Sequence, residues 1–192
     1  MLREIRDIQG LLRTFLQQVI LPGDSVLDAT AGRGRDTLFL AECVGPKGKV
    51  YALDIQEQAL TATSLLLQDK GMTDRVIMHC LDHARCREVI TERLRAVIFN
   101  LGYLPGSNHR IVTMKDSTIK GIEEALTLLH VGGLVVLTVY RGHPGAEEEY
   151  CGLEKFLTSL SKEDYSVLEG LYLNQGKKSP YWVMVQKNRG VE

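Results

Sequence analysis

Asp28-Ala29-Thr30-Ala31-Gly32-Arg33-Gly34-Arg35-Asp36-Thr37 places two glycines among carboxylates and hydroxyls. Glycines at 32 and 34 let a backbone turn tightly and approach a ligand where a β-carbon would collide. An apolar run precedes this stretch and a helical pattern follows it, the strand-to-helix setting in which open α/β sheets hold their ligands. The charge of the loop narrows the chemistry. A dinucleotide loop would carry glycine where Thr37 stands, and Asp28 and Asp36 would repel a pyrophosphate. The same carboxylates favour a sulfonium and an ammonium, the two cations of S-adenosylmethionine. Either Asp28 or Asp36 is therefore expected to face the methionine end of that donor, with Thr30 and Thr37 in the same loop. Arg33 and Arg35 either point to solvent or reach an RNA phosphate. A plain glycine turn without a ligand is the alternative.

A second acid follows at a telling distance. Tyr51-Ala52-Leu53-Asp54-Ile55-Gln56 ends an apolar run with Asp54, 22 positions beyond Gly32. An acid about 20 residues past the glycine loop can take both ribose hydroxyls, one on each oxygen. Asp54 could equally cap the helix expected from Glu57; the roles are compatible. Gln56 lies beside it. Further on, His79-Cys80-Leu81-Asp82-His83 offers Asp82 to an adenine amino group, with His83 near the ring. Cys80, His83 and Cys86 also share a spacing of three, but a structural zinc site wants four ligands and no second pair is visible. No metal is expected.

Ala96-Val97-Ile98-Phe99 runs into Asn100-Leu101-Gly102-Tyr103-Leu104-Pro105-Gly106. This end of a buried strand echoes the Asn-Pro-Pro-Tyr element of amino-methylating enzymes. There the Asn carbonyl accepts from the substrate amine and the aromatic ring packs on the base. Asn100 and Tyr103 are the catalytic candidates, Asn100 also bordering the methyl donor, with Gly102, Leu104 and Pro105 lining the acceptor. The bland reading is a turn, since Asn, Gly and Pro all form turns. His109 and His143 are candidates for removing the amine proton, histidine titrating near neutrality; the alternative is a surface or packing role. Arg110, Lys115, Lys120, Arg141, Lys177 and Lys178 could meet RNA phosphates, or could be a solvated surface.

These residues need a scaffold that gathers strand ends. Ile5, Ile8, Leu12, Phe15 and Val19 recur every three or four residues and predict an amphipathic helix over the first twenty positions. Strands are predicted over 25–29, 49–54, 75–80, 95–100, 134–140, 166–172 and 181–186. Helices are predicted over 36–43, 57–70, 118–129 and 147–160, the third closed by Gly132-Gly133 as a C-terminal cap. Alternating strands and helices imply βαβ units and a mostly parallel sheet. The last two strands imply an antiparallel hairpin. The expected fold is thus α/β, the class I Rossmann-like S-adenosylmethionine-dependent methyltransferase type, as a single domain over 1–192 with 1–21 as a helix packed on it.

Composition fits that scaffold. Net charge is −1 and the pI about 6.5, so any nucleic-acid contact must be a local patch. The longest stretch free of Asp, Glu, Lys and Arg, Ala125–Tyr140, is 16 residues, short of the roughly 20 that span a bilayer. Four cysteines without a CxxC pair suit reduced thiols, and the N-terminus lacks a signal-peptide apolar block. A cytoplasmic location is expected, without membrane contact.

Taken in order, Asp28-Ala29-Thr30-x-Gly32-x-Gly34-x-Asp36-Thr37, Asp54-Ile55-Gln56, Asn100-Leu101-Gly102-Tyr103-Leu104-Pro105-Gly106, Gly142-His143 and Asn174-Gln175 resemble the MnmM (YtqB-like) family. That family was long labelled rRNA methylases. The resemblance covers about Asp24 to Lys187. It implies methylation of 5-aminomethyl-2-thiouridine at the wobble position of transfer RNA, with S-adenosylmethionine as donor. The implied partner is the tRNA anticodon stem-loop; assembly as a homodimer is left open. Arg33 stands where the family usually has Asn, and Gln175–Pro180 has one proline and added charge in place of the family's Asn-Gln-x-Asn-x-Pro-Pro. Other readings are a methyltransferase of ribosomal RNA or of a small molecule, a donor-binding module without turnover, and a dehydrogenase, which Thr37 and the loop carboxylates disfavour.

Overall fold

The computed structural model describes residues 7–102, 114–141, 146–176 and 179–189. Seven strands form one sheet: β1 (Ser25–Asp28), β2 (Lys49–Asp54), β3 (Val76–Cys80), β4 (Leu94–Leu101), β5 (Leu129–Val139), β6 (Tyr165–Gly170) and β7 (Tyr181–Lys187). Their spatial order is β3-β2-β1-β4-β5-β7-β6. The pairs from β3 across to β5 are parallel, and β7 runs antiparallel to both β5 and β6. The order reverses between β1 and β4, where crossovers leave in opposite directions and open a crevice at the strand ends. The expected α/β sheet with its C-terminal hairpin is present, β7 being wedged between β5 and the edge strand β6.

Helices α1 (Ile8–Val19), α2 (Arg35–Val44), α3 (Glu57–Lys70), α4 (Lys115–Leu128) and α5 (Ala146–Ser159) accompany it. Strand alternation sorts the core into two layers. Val97, Phe99, Leu101, Val135 and Leu137 pack with Ile122, Leu126, Leu153 and Leu157 of α4 and α5. Val26, Ala96, Ile98, Leu134 and Val136 pack with Leu12 and Leu16 of α1 and Phe39, Leu40 and Val44 of α2. Asp28, Asn100 and Thr138 continue the second series, and so come up on the α1/α2 face where their strands end.

Leu12, Leu16 and Ile20 hold the first helix down; all three are buried. Each contributes about 1.5–3 kcal/mol of burial, whereas a half-exposed ion pair contributes at most about 1 kcal/mol. Apolar contact therefore fixes α1 and leaves its polar side free for other work. Asp7 caps it, accepting from the Gly10 N–H at 2.9 Å.

The helix cap expected at Gly132-Gly133 is not formed. Helix α4 ends at Leu128 and β5 begins at once, so Gly132-Gly133 lies inside the strand and caps nothing. Leu94 pairs with Leu129 and Ala96 with Leu134, so two steps along β4 match five along β5. The excess chain bulges, with Gly132 at φ +78°. A β-carbon on Gly133 would lie 2.9 Å from the carbonyl oxygens of Arg95 and His130. The carbonyls at the end of α4 are met from afar: the buried Lys187 ammonium donates to Leu126 O and Leu129 O at 3.3 Å each.

Candidate active site

The loop between β1 and α2 is organised around Asp28, which has no exposed surface. One of its oxygens accepts from the Thr30 N–H at 3.2 Å and the other from the Thr37 hydroxyl at 2.6 Å. Burial, then the neighbouring charge of Asp36, push its carboxyl up to about 7 against the pull of those hydrogen bonds. Asp28 is thus the internal brace of the loop. Gly34, at φ +77°, begins α2, and a β-carbon there would meet Thr63 Cα of α3 at 2.9 Å. Its small size serves helix packing, while Thr63 Oγ1 donates to the Gly32 carbonyl at 3.3 Å. Arg33 and Arg35 are exposed.

Asp54 sits at the tip of β2. One oxygen accepts the Gly32 N–H at 2.9 Å and the other the Gln56 N–H at 2.9 Å. The carboxylate thereby ties the glycine loop to the start of α3, and each oxygen keeps lone pairs for a further donor. Gln56 is the N-cap residue of α3 without a side-chain capping bond; its amide oxygen accepts from Gln58. At the tip of β3, Asp82 accepts the Ala84 N–H on one oxygen at 2.8 Å. His83 is buried, its ring set edge-on to Phe99 at 5.5 Å and against Gly121 of α4. Its Nε2 has no hydrogen-bond partner and lies 3.9 Å from Asp82; burial lowers its pKa.

The tips of β4 and β5 carry the polar cluster that sequence reasoning only half found. Asn100 pairs with Thr138 across the parallel strands, and the Asn100 N–H donates to Thr30 Oγ1 at 2.8 Å. Asn100 Nδ2 donates to Asp36 Oδ2 at 2.8 Å. Arg13 of α1 holds the other Asp36 oxygen, Nε at 3.1 Å and Nη2 at 2.7 Å, and also donates to the Arg35 carbonyl. Gln9, one turn earlier on α1, directs its amide nitrogen at Asn100 Oδ1 at 2.8 Å, Thr138 Oγ1 at 3.1 Å and Tyr140 Oη at 3.5 Å. A carboxylate only accepts, so Asp36 selects the NH2 side of Asn100 and turns its carbonyl away toward Gln9.

Gln9, Arg13, Thr138 and Tyr140 were not among the expected residues. Their signals were present: Gln9 and Arg13 are four apart on one helix side, and Thr138 interrupts an apolar strand. Two candidate RNA contacts have protein partners. Arg141 stacks on the Tyr150 ring at 3.7 Å and lies 4.9 Å from that of Tyr181. The Lys115 ammonium lies 3.7 Å from Asp116 and 3.9 Å from Glu148. Lys120 is exposed on α4, and Gly102, at φ +149°, ends the strand region beside Tyr140. Tyr103, Leu104, Pro105, His109, Arg110, His143, Lys177 and Lys178 lie outside the described residues. Among the described residues no three His, Cys, Asp or Glu side chains gather to hold a metal, and burial pushes the Cys86 thiol up to about 11.

A family model described as "Putative rRNA methylase" matches residues 50–186. The chain belongs to that family. It is 42% identical over 169 residues to the tRNA (mnm(5)s(2)U34)-methyltransferase, chloroplastic, of Arabidopsis thaliana, an alignment covering 83% of this chain. The match spans 62% of that relative's length. A solved structure of a putative rRNA-methylase from Clostridium thermocellum superposes with a TM-score of 0.93 at 34% identity, covering 96% of this chain and all of that one. A putative methyltransferase from Streptococcus mutans, solved in complex with SAH, superposes at 0.86 and 33% identity over 97% of this chain and 99% of its own. The family resemblance drawn from the motifs is thus upheld, and the fold of this rRNA-methylase family member is the methyltransferase fold. No helix among the described residues is long and apolar enough to cross a membrane.

Proposed function

We propose that this rRNA-methylase family member is an S-adenosylmethionine-dependent N-methyltransferase. Its acceptor in this reading is the aminomethyl group on the wobble uridine of tRNA, giving 5-methylaminomethyl-2-thiouridine. The observation that carries this is the Asn100 carbonyl at the tip of β4, turned by Asp36 toward Gln9, whose N–H already meets it. An amide oxygen locked in that way orients an amine.

The donor fits the residues present. Asp54 keeps acceptor capacity on both oxygens at a strand tip, as two ribose hydroxyls require. Asp82, with one oxygen on Ala84, has the other for an adenine amino group. Gly32, Gly34, Thr30 and Thr37 shape the loop beside the methionine end, Asp28 bracing it from beneath. S-adenosylmethionine supplies a methyl group on an already activated sulfonium, so the protein's work is alignment. Asn100 fixes one N–H of the acceptor and leaves its lone pair for the methyl. Tyr103 packs on the uracil in this reading. The name of the Arabidopsis relative supports the substrate, and the anticodon stem-loop is the part of the RNA that carries it.

The test is direct. Purified protein, labelled donor, and separately tRNA from cells lacking this protein, ribosomal RNA and small metabolites are combined, and the nucleosides are resolved by mass spectrometry. One methyl on the aminomethyl uridine is expected. Label in ribosomal RNA or metabolites alone would replace the substrate while keeping the enzyme. Affinity for tRNA should fall as salt rises. Sedimentation of the same preparation reads the homodimer against the 21.5 kDa chain.

A further inference from the structure

The nitrogen of Gln9 lies among three oxygens, those of Asn100, Thr138 and Tyr140. The two shorter contacts, 2.8 and 3.1 Å, use its two N–H groups. A primary amine on a methylene carbon also has two N–H groups, with a lone pair as the fourth direction. Thr138 is buried and sits opposite Asn100 in the β4–β5 register, so its hydroxyl and the Asn100 carbonyl form a fixed pair. The Asn100 side of the pair cannot flip, because Asp36 holds its NH2 group.

We propose that Thr138 is the second acceptor for the substrate amine and limits it to one methyl group, the Gln9 amide standing in the amine's place until RNA arrives. This rests on the function proposed above. With one N–H on Asn100 and one on Thr138, the lone pair of the neutral amine faces the donor. The nitrogen–methyl bond forms as the methyl–sulfur bond breaks, leaving the thioether and a secondary ammonium whose two N–H groups still meet both oxygens. Before a second transfer that ammonium must lose a proton to water. Only one N–H then remains, and aiming the lone pair at the donor forces the new methyl against one of the two oxygens. A buried acceptor facing a methyl loses its hydrogen bond, and the second transfer is disfavoured.

The test uses the full chain, excess donor and tRNA carrying the aminomethyl uridine, with rates and nucleoside masses for wild type, Thr138→Val, Thr138→Ser, Thr138→Ala and Gln9→Ala. Wild type should stop at one methyl. Thr138→Val should lose about 10-fold or more in kcat, the worth of one hydrogen bond, with SAH affinity kept within about 2-fold. Thr138→Ser, which keeps the hydroxyl, should restore the rate. Thr138→Ala, which removes the hydroxyl and opens space, should yield dimethylated nucleoside. Gln9→Ala should lower KM for tRNA by about 3-fold or more, since no side chain then competes with the amine. Wild-type rates in Thr138→Val, equal loss in Thr138→Ser, or a single methyl only in Thr138→Ala would each overturn the role of Thr138. A KM for tRNA that is unchanged or raised in Gln9→Ala would overturn its placeholder role. A wild-type protein that leaves the aminomethyl uridine untouched would instead overturn the function on which this rests.

Discussion

Asn100 at the tip of β4 and Asp36 in the first turn of α2 are joined by a 2.8 Å hydrogen bond across 64 residues of chain. That bond decides which end of the Asn100 amide faces Gln9 and Thr138. Replacing Asn100 by Ala should lower kcat by about 100-fold or more while SAH affinity changes little, because in the proposed function the lost interaction belongs to the acceptor. Steady-state kinetics beside calorimetry with SAH measure both. Equal losses in the two would remove Asn100 from the transfer step.

Arg13 neutralises Asp36 from the other side at 2.7 Å. Arg13→Gln should leave the fold close to wild type in melting temperature, since the pair is partly exposed and α1 is held by Leu12, Leu16 and Ile20. It should cost about 10-fold in kcat/KM by loosening Asp36 and with it the Asn100 carbonyl. A large drop in melting temperature would show that Arg13 serves stability.

Asp54 accepts the Gly32 N–H of the glycine loop, and in the proposed function its oxygens take the ribose hydroxyls. Asp54→Ala should weaken SAH binding about 30-fold, the worth of roughly 2 kcal/mol for hydrogen bonds to a charged acceptor. Calorimetry with SAH reads this, and unchanged affinity would contradict the ribose assignment.

Asp28 and Glu92 give stability opposite slopes with pH. Asp28 titrates near 7 when folded and near 3.8 as a free side chain, so between those values the folded state holds the extra proton and stability falls as pH rises. Asp28→Asn should flatten that limb. Binding of a cationic donor favours the ionised form, so S-adenosylmethionine affinity should rise with pH through 7 more steeply than that of uncharged-sulfur SAH. For Glu92, burial raises the pKa, but hydrogen bonds from Lys49, Ser25 and Tyr51 outweigh it and bring it down to about 2. Its contribution is full above about 4.5 and is lost as pH falls toward 2; Glu92→Gln should remove that acid limb. Melting temperature against pH for the two variants separates the slopes.

Gly34→Ala should cost about 1–3 kcal/mol, because the new methyl meets Thr63 Cα and the backbone is left-handed. Thermal melting checks it. A variant as stable as wild type would show that α3 gives way.

Sequence alone determined the parts governed by local rules. Helix α3 and strand β2 fall where periodicity put them, since alternation and the 3.6-residue repeat follow from backbone geometry. The loop at 28–37, Asp54 and Asn100 were legible because glycine, carboxylate and strand end recur at short range. Gly132-Gly133 misled because glycine suits a helix cap and a strand bulge equally; pairing with β4 chose the bulge, and Lys187 supplied the cap. Only tertiary structure brought Gln9 to Asn100 and Thr138, 91 and 129 residues away. Period two assigns a side chain to a face of the sheet. Which helix covers that face, and which of its polar residues reaches the strand tips, depends on how α1 packs, and no local pattern encodes that.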